Sequence, residues 1–494
     1  MHVRCIIRKR WQKNALAACL LLLVLLAFLW LRPGKAAGER AKKAAEGLDA
    51  YDFQLIFRPE ESTLAVSMTL DYTNRTGDAL DTLVLRTWAN AYQKEATSPA
   101  AIDALFDACY PAGFSEGYLT LEGVWWQDQV AAASYLDEAQ TTLAVAIPPL
   151  APHQSGRLTL RCQITVPACA HRLGYSQGIW QFGNALPILA VYENGNWRTD
   201  AYSPMGDPFV SNCANYTVGL AVPAGYQCAA TGTCKLDKRE RDGWHYTVNA
   251  PAARDFAFAL SQSWQQATAR QNGVQIAAYA PDNPSNAAKY AAKALKVYEK
   301  LYGAYPYETL TVCAIDFPFG GMEYPGLIFV SLPYFEADQR DSLELVLAHE
   351  AAHQWFYALV GSDQVNQPWQ DEALSEYAML RYVRQVYGQN AYENLVITRV
   401  HAPMRERIPQ PLTPATPITD FGSLDAYFSV VYGRGAAFLL AVEEMTGKLD
   451  AFLQKYCDTY AFSLASRQDF SLLLREVTGE DLTPLMLDYL DTLM

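Results

Sequence analysis

Apolar and polar residues alternate with a period of two through much of the first half of the chain. The runs Phe53–Phe57, Leu64–Leu70, Thr82–Leu85, Thr141–Ile147, Arg157–Ile164, Tyr216–Val222 and His245–Val248 read as strands, separated by Gly, Pro, Asn and Asp clusters. Near Pro281–Ser285 the pattern changes. A helix is expected over Asn286–Tyr302, stopped by Gly303, then strands at Leu310–Ile315 and Leu327–Ser331. Helical periodicity then covers Asp341–Val360 and Trp369–Tyr387, the latter closed by Gly388, and later Gly435–Met445, Leu449–Tyr460, Phe470–Val477 and Leu485–Leu493. Asp341 is the expected N-cap of its helix, with Glu344 three residues on. A β-rich unit followed by mixed strands and helices predicts a multidomain α+β protein.

The extreme N-terminus departs from both patterns. Ala15–Leu31 is an unbroken apolar run of seventeen residues, at the short limit for a membrane span, preceded by Arg4, Arg8, Lys9, Arg10 and Lys13. No small-x-small cleavage site directly follows it, so a retained single-span anchor is expected, with the body on the extracytoplasmic side. Residues 1–45 carry ten Lys/Arg and one acid, which leaves 29 basic and 51 acidic residues in the rest. So acidic a body offers no electrostatic footprint for nucleic acid. Hydrophobic residues make up 51% of the 494, enough for packed cores and against disorder. Of the ten cysteines, Cys162/Cys169 and Cys228/Cys234 are close enough in sequence to bridge or to stay as buried thiols.

The chemistry is concentrated in His349-Glu350-Ala351-Ala352-His353, with Glu372 after an eighteen-residue gap. Histidines four apart on a helix share a face, so both imidazoles can reach one zinc ion. Two His and one Glu leave an open position for water. Glu350, beside the first ligand, is placed as general base. The loop-like 361–368 segment lets the helix carrying Glu372 fold back as a hairpin.

This helix pair resembles that of the aminopeptidase N family of gluzincins. Gly320-Gly321-Met322-Glu323-Tyr324 is similar to that family's Gly-x-Met-Glu-Asn loop, with Tyr in place of Asn. Tyr432-Gly433-Arg434-Gly435 is similar to its Tyr-x-Lys-Gly segment, with Arg in place of Lys. The resemblance implies an N-terminal β-sandwich-like domain at 49–268 and a thermolysin-like zinc peptidase domain at 269–494, after a tail and anchor at 1–33 and a linker at 34–48. It implies one zinc ion on His349, His353 and Glu372, catalysis by Glu350 and Tyr432, and substrate binding by Gly320, Gly321, Met322 and Glu323. In this reading Glu323 takes the free α-amine of a peptide, Tyr432 donates to the developing oxyanion, and Leu327–Ser331 is an edge strand for the peptide. The family's further amine anchor, Gln-x-Glu or Gln-x-Gln, has its nearest match in Gln181-Phe182-Gly183, which lacks the second polar residue. Glu376, one turn after Glu372, is either a support for the metal ligands or a surface carboxylate.

The expected function is removal of N-terminal residues from peptides. Two other readings use the same residues. A zinc endopeptidase would also cleave N-terminally blocked peptides, and a catalytically silent binding scaffold would cleave neither kind. Retention of His349, Glu350, His353, Glu372 and Tyr432 together weighs against the scaffold.

Overall fold

The computed structural model describes residues 38–94, 102–405 and 411–493. The expected membrane anchor at 1–33 lies outside the described residues, and among them no helix is long and apolar enough to cross a membrane.

The chain builds a β-rich half and then a mixed α+β half. The first half is organised on an eight-stranded sheet, ordered 233–239, 244–253, 214–222, 50–58, 63–73, 155–165, 118–126 and 129–130. Ala50–Arg58 runs parallel to Ala214–Val222 and antiparallel to Thr63–Thr73. Along Ala50–Arg58 buried and exposed positions alternate strictly, as a strand with one face on a core requires. Phe53, Met68, Leu85, Leu143, Leu160 and Phe258 meet in the core shared with two four-stranded sheets. Cys109, Cys162, Cys169 and Cys228 are buried there as free thiols, and Cys234 is partly buried and also free.

A five-stranded sheet opens the second half, ordered 265–271, 274–280, 309–315, 327–331 and 321–322. It begins at Gln265, four residues before the expected start of the peptidase domain at 269, because Gln265–Gln271 pairs along its whole length with Val274–Ala280. Leu327–Ser331 is not an edge strand. It is parallel to Thr309–Ile315 on one side, while Gly321–Met322 pairs antiparallel on the other and takes the edge. Helices Pro284–Tyr302, Arg340–Ala352 and Trp369–Tyr387 pack around Tyr298, Trp355, Trp369 and Tyr377.

The helix expected over Asp341–Val360 is shorter, spanning Arg340–Ala352. Beyond it the chain turns with wider hydrogen bonds, Ala358 N to His353 O and Val360 N to Trp355 O, into the short strand Val360–Gly361. Trp355, Phe356 and Leu359 are buried anyway, so their apolar spacing reflects the core and not a continued helix. Gln339, not Asp341, stands at the N-cap. Glu344 faces inward, receiving Lys293 Nζ at 2.8 Å, Tyr387 at 2.7 Å and the Tyr382 hydroxyl. Helix Glu39–Ala45, in the expected linker, is docked: Ala41 is buried, and Arg40 donates to Cys457 O at 2.9 Å.

Candidate active site

The two histidines stand on the last turn of Arg340–Ala352 and the residue that caps it, so they project together toward the start of Trp369–Tyr387, where Glu372 sits in the first turn. His349 Nε2 and His353 Nε2 are 3.1 Å apart. Glu372 Oε2 lies 3.3 Å from the first and 3.5 Å from the second. Tetrahedral zinc with bonds of about 2.0–2.1 Å needs ligand atoms roughly 3.3 Å from one another. The trio meets that spacing, is buried, and contains no thiolate. These residues fit one zinc ion.

Each imidazole has a carboxylate behind it. Asp371 Oδ1 lies 2.6 Å from His353 Nδ1, and Gln364 Nε2 donates to its other oxygen. Glu376 Oε2 lies 3.3 Å from His349 Nδ1 and accepts from Arg399 Nη2 at 2.9 Å, while its Oε1 accepts from Arg399 Nε at 2.6 Å. Such partners fix ring orientation at metal sites. Glu376 is fully buried and not a surface carboxylate, and its formed hydrogen bonds go to Arg399. Asp371 and Arg399 were invisible in the sequence: an acid beside a ligand and an arginine on a later helix carry no spacing signal.

The trio opens into a cavity of about 250 Å³ with an apolar wall that includes Phe317, Phe319, Tyr334 and Phe428. Glu350 lines it, with Oε2 buried and without a hydrogen-bond partner among the described residues. Burial pushes the Glu350 carboxyl up to about 7, against the pull of His349 and His353. That suits a base that must take up and release a proton near neutrality. Tyr432 stacks on His349 with ring centroids 5.6 Å apart. Burial, and then the Glu372 carboxylate, hold its phenol well above the usual range, so it stays protonated as a donor. Tyr427 also lines the cavity, its ring centroid 5.8 Å from that of Tyr432.

Gly320, Gly321, Met322 and Glu323 form the opposite wall. A Cβ on Gly321 would lie 2.6 Å from the Glu350 carboxylate; only glycine lets this edge strand pass so close to the base. Gln354, next to the second histidine, accepts from Gly326 N at 2.8 Å and donates to Tyr324 O at 3.1 Å. The zinc helix thereby fixes the loop that carries Glu323. Glu323 is buried, and its Oε1 has no hydrogen-bond partner among the described residues. Burial lifts its carboxyl well above the ordinary range; His353 opposes, and Asp207, Asp371 and Glu350 add to the rise.

The two departures at residues 183 and 324 are one feature. Tyr324 is fully buried and donates to Asn184 Oδ1 at 2.9 Å. A Cβ on Gly183 would overlap the Tyr324 hydroxyl. A tyrosine here excludes any side chain at 183. Gln181 is turned away from the cavity, donating to His171 O at 2.8 Å and Asp316 O at 3.0 Å.

Residues 286–489 match the peptidase family M1 domain. The second half of the chain thus carries a match to peptidase family M1. It is 27% identical to aminopeptidase N of Lactobacillus helveticus over 364 residues, covering 68% of this chain and 42% of that one. It is 26% identical to aminopeptidase M1-D of Oryza sativa subsp. japonica over 231 residues, covering 43% of this chain and 26% of that one. The chain spans less than half the length of these curated relatives. Among solved structures, an M1 zinc metallopeptidase from Deinococcus radiodurans shares the fold at a TM-score of 0.65 and 18% identity, covering 90% of this chain and 92% of that one. A mutant of that protein has been solved with a Tyr-Ser-Ala substrate.

Proposed function

We propose that this chain is a zinc-dependent aminopeptidase that removes N-terminal residues from peptides. The observation that carries the reading is buried Glu323, in the same cavity as the His349, His353 and Glu372 trio, whose Oε1 makes no hydrogen bond among the described residues and has His353 Nδ1 only at 4.0 Å. A carboxylate so placed calls for a cationic ligand group, and the α-ammonium of a peptide supplies one. When bound, the ion would supply Lewis-acid polarisation of the scissile carbonyl and a more acidic water. Glu350 then takes the proton of the attacking water and delivers it to the leaving amine. Tyr432 donates a hydrogen bond to the oxygen on which negative charge develops. Glu323 holds the ammonium, so that the first peptide bond is the one presented. The Tyr-Ser-Ala complex of a protein of the same fold is consistent with peptide substrates.

The test is hydrolysis of one peptide with a free amino terminus and of its acetylated twin by the full chain, with Glu350→Gln as blank. Cleavage of the free peptide alone, lost in the variant, is the expected result. Equal cleavage of both would leave a zinc endopeptidase, and cleavage of neither by zinc-loaded protein a binding scaffold.

The apolar run Ala15–Leu31 and the basic residues before it support a single-span anchor, with the catalytic half on the extracytoplasmic side. Protease accessibility of the folded body in intact cells, and its resistance to alkaline extraction from membranes, would test that placement. Release into the soluble fraction sinks it.

A further inference from the structure

We infer that Asp207, a residue of the β-rich half, is a second carboxylate for the substrate's ammonium group, acting beside Glu323. The inference rests on the aminopeptidase reading and adds to it a residue from the other half of the chain.

Asp207 lies between the strands Asn196–Trp197 and Ala214–Val222, and its side chain, 11% exposed, lines the same cavity as Glu323, Glu350, Glu372 and Tyr432. Its loop is pressed against the cavity wall: a Cβ on Gly206 would lie 2.8 Å from the Tyr427 hydroxyl. Arg172 sets its position, donating from Nη2 to Asp207 Oδ1 at 2.6 Å and to Gly206 O at 3.1 Å. The same guanidinium sits over Phe209 at 5.3 Å and points Nε at Met322 Sδ, 3.3 Å away. Arg172 therefore registers the Asp207 loop against the segment that carries Glu323.

Arg172 already pairs with Asp207, so the demand for a further donor comes from buried Glu323, whose Oε1 makes no hydrogen bond among the described residues and has His353 Nδ1 only at 4.0 Å. Asp207 and Glu323 line one cavity, so a cation held there can meet a carboxylate from each half of the chain. An ammonium has three donors in a compact head, and carboxylates on two sides fix its direction where one would leave it free to swing. Residue 183 cannot carry a side chain beside Tyr324, and Gln181, its amide nitrogen on backbone carbonyls, does not line the cavity.

The test uses the zinc-loaded full chain and two competitive inhibitors that differ only in the amine, L-phenylalanine and 3-phenylpropionate. Asp207→Asn keeps an acceptor for Arg172 and removes the charge. We expect L-phenylalanine to weaken about tenfold or more, 3-phenylpropionate by less than about twofold, and KM for free-amine peptides to rise more than kcat falls. Equal weakening of both inhibitors, or of neither, would make Asp207 a structural partner of Arg172 and overturn the inference. If Asp207→Asn does not fold, Asp207→Ser leaves Arg172 a hydroxyl acceptor and is read by the same pair. A wild-type protein that does not prefer L-phenylalanine to 3-phenylpropionate would instead remove the aminopeptidase reading itself.

Discussion

The two sides of the metal site are built differently, although their sequence signature treats the histidines as equivalent. On the His353 side the tether is closed and buried: a 2.6 Å contact to Asp371, whose other oxygen accepts from buried Gln364. On the His349 side Glu376 is 3.3 Å away and outside hydrogen-bond geometry, and its strong bonds go to Arg399, whose side chain is 44% exposed at the cavity. The charges divide in the same way. Burial lifts the Asp371 carboxyl to about 6 against the pull of His353. Burial acts on Glu376 too, but Arg399 outweighs it and holds that carboxyl down at about 2. Asp371 therefore owes its charge to the imidazole it orients, whereas Glu376 owes its charge to the arginine. The comparison teaches that His353 is positioned by its acid, and His349 mainly by its helix and the Tyr432 ring stacked on it.

The largest expected effect falls on the tight side. Asp371→Asn removes the charge behind His353 and should weaken zinc binding about tenfold to hundredfold, read by competition with a chelator. Global stability to denaturant should change less, because the amide still fits between His353 and Gln364. Zinc affinity within twofold of the wild type would mean that the short contact does not position the ligand, and the comparison would collapse.

The legible part of this site is the part written in local periodicity. Two histidines four apart and a glutamate at the head of the next helix place themselves once Arg340–Ala352 and Trp369–Tyr387 form. Gly388, at φ 85° and ψ −177°, ends the second helix where a glycine stop is expected, in a positive-φ conformation that favours glycine. Strands with one exposed face were equally readable, as at Ala50–Arg58 and Ser155–Thr165. Short or fully buried segments were not. Ile179–Phe182 is buried at every position, so no alternation marks it, and Gly321–Met322 is an edge of two residues. Asp371, Arg399, Arg172 and Asp207 share a different obscurity. Each acts through a contact set by how separate elements pack, and Gly206-Asp207-Pro208 reads along the chain as an ordinary turn.

A smaller effect, and one on stability more than on the metal, is expected from the loose side's cation. Arg399→Gln leaves Glu376 fully buried without its counter-ion. The half-exposed guanidinium discounts the usual cost of breaking a buried pair to about 2 kcal/mol, measurable by chemical denaturation. The double variant Arg399→Gln/Glu376→Gln should recover much of that loss, since it removes the stranded charge as well. The sign with pH follows from Glu376 being depressed below its ordinary 4.5. The stabilisation that the ion pair gives is present above about 4.5 and is lost as pH falls toward about 2. An Arg399→Gln deficit that grew with acidity would contradict the assignment.

Glu376→Gln alone should be the mildest of the three. The amide keeps the shape of the carboxylate, the abandoned Arg399 can turn to solvent, and the contact to His349 was not a formed hydrogen bond to begin with. Zinc affinity should therefore fall by less than about threefold, well short of Asp371→Asn under the same chelator competition. The two substitutions are chemically alike and differ only in the tether they touch. Equal losses would show that the charge behind each imidazole counts and its hydrogen-bond geometry does not, and His349 would then need its acid as much as His353 does.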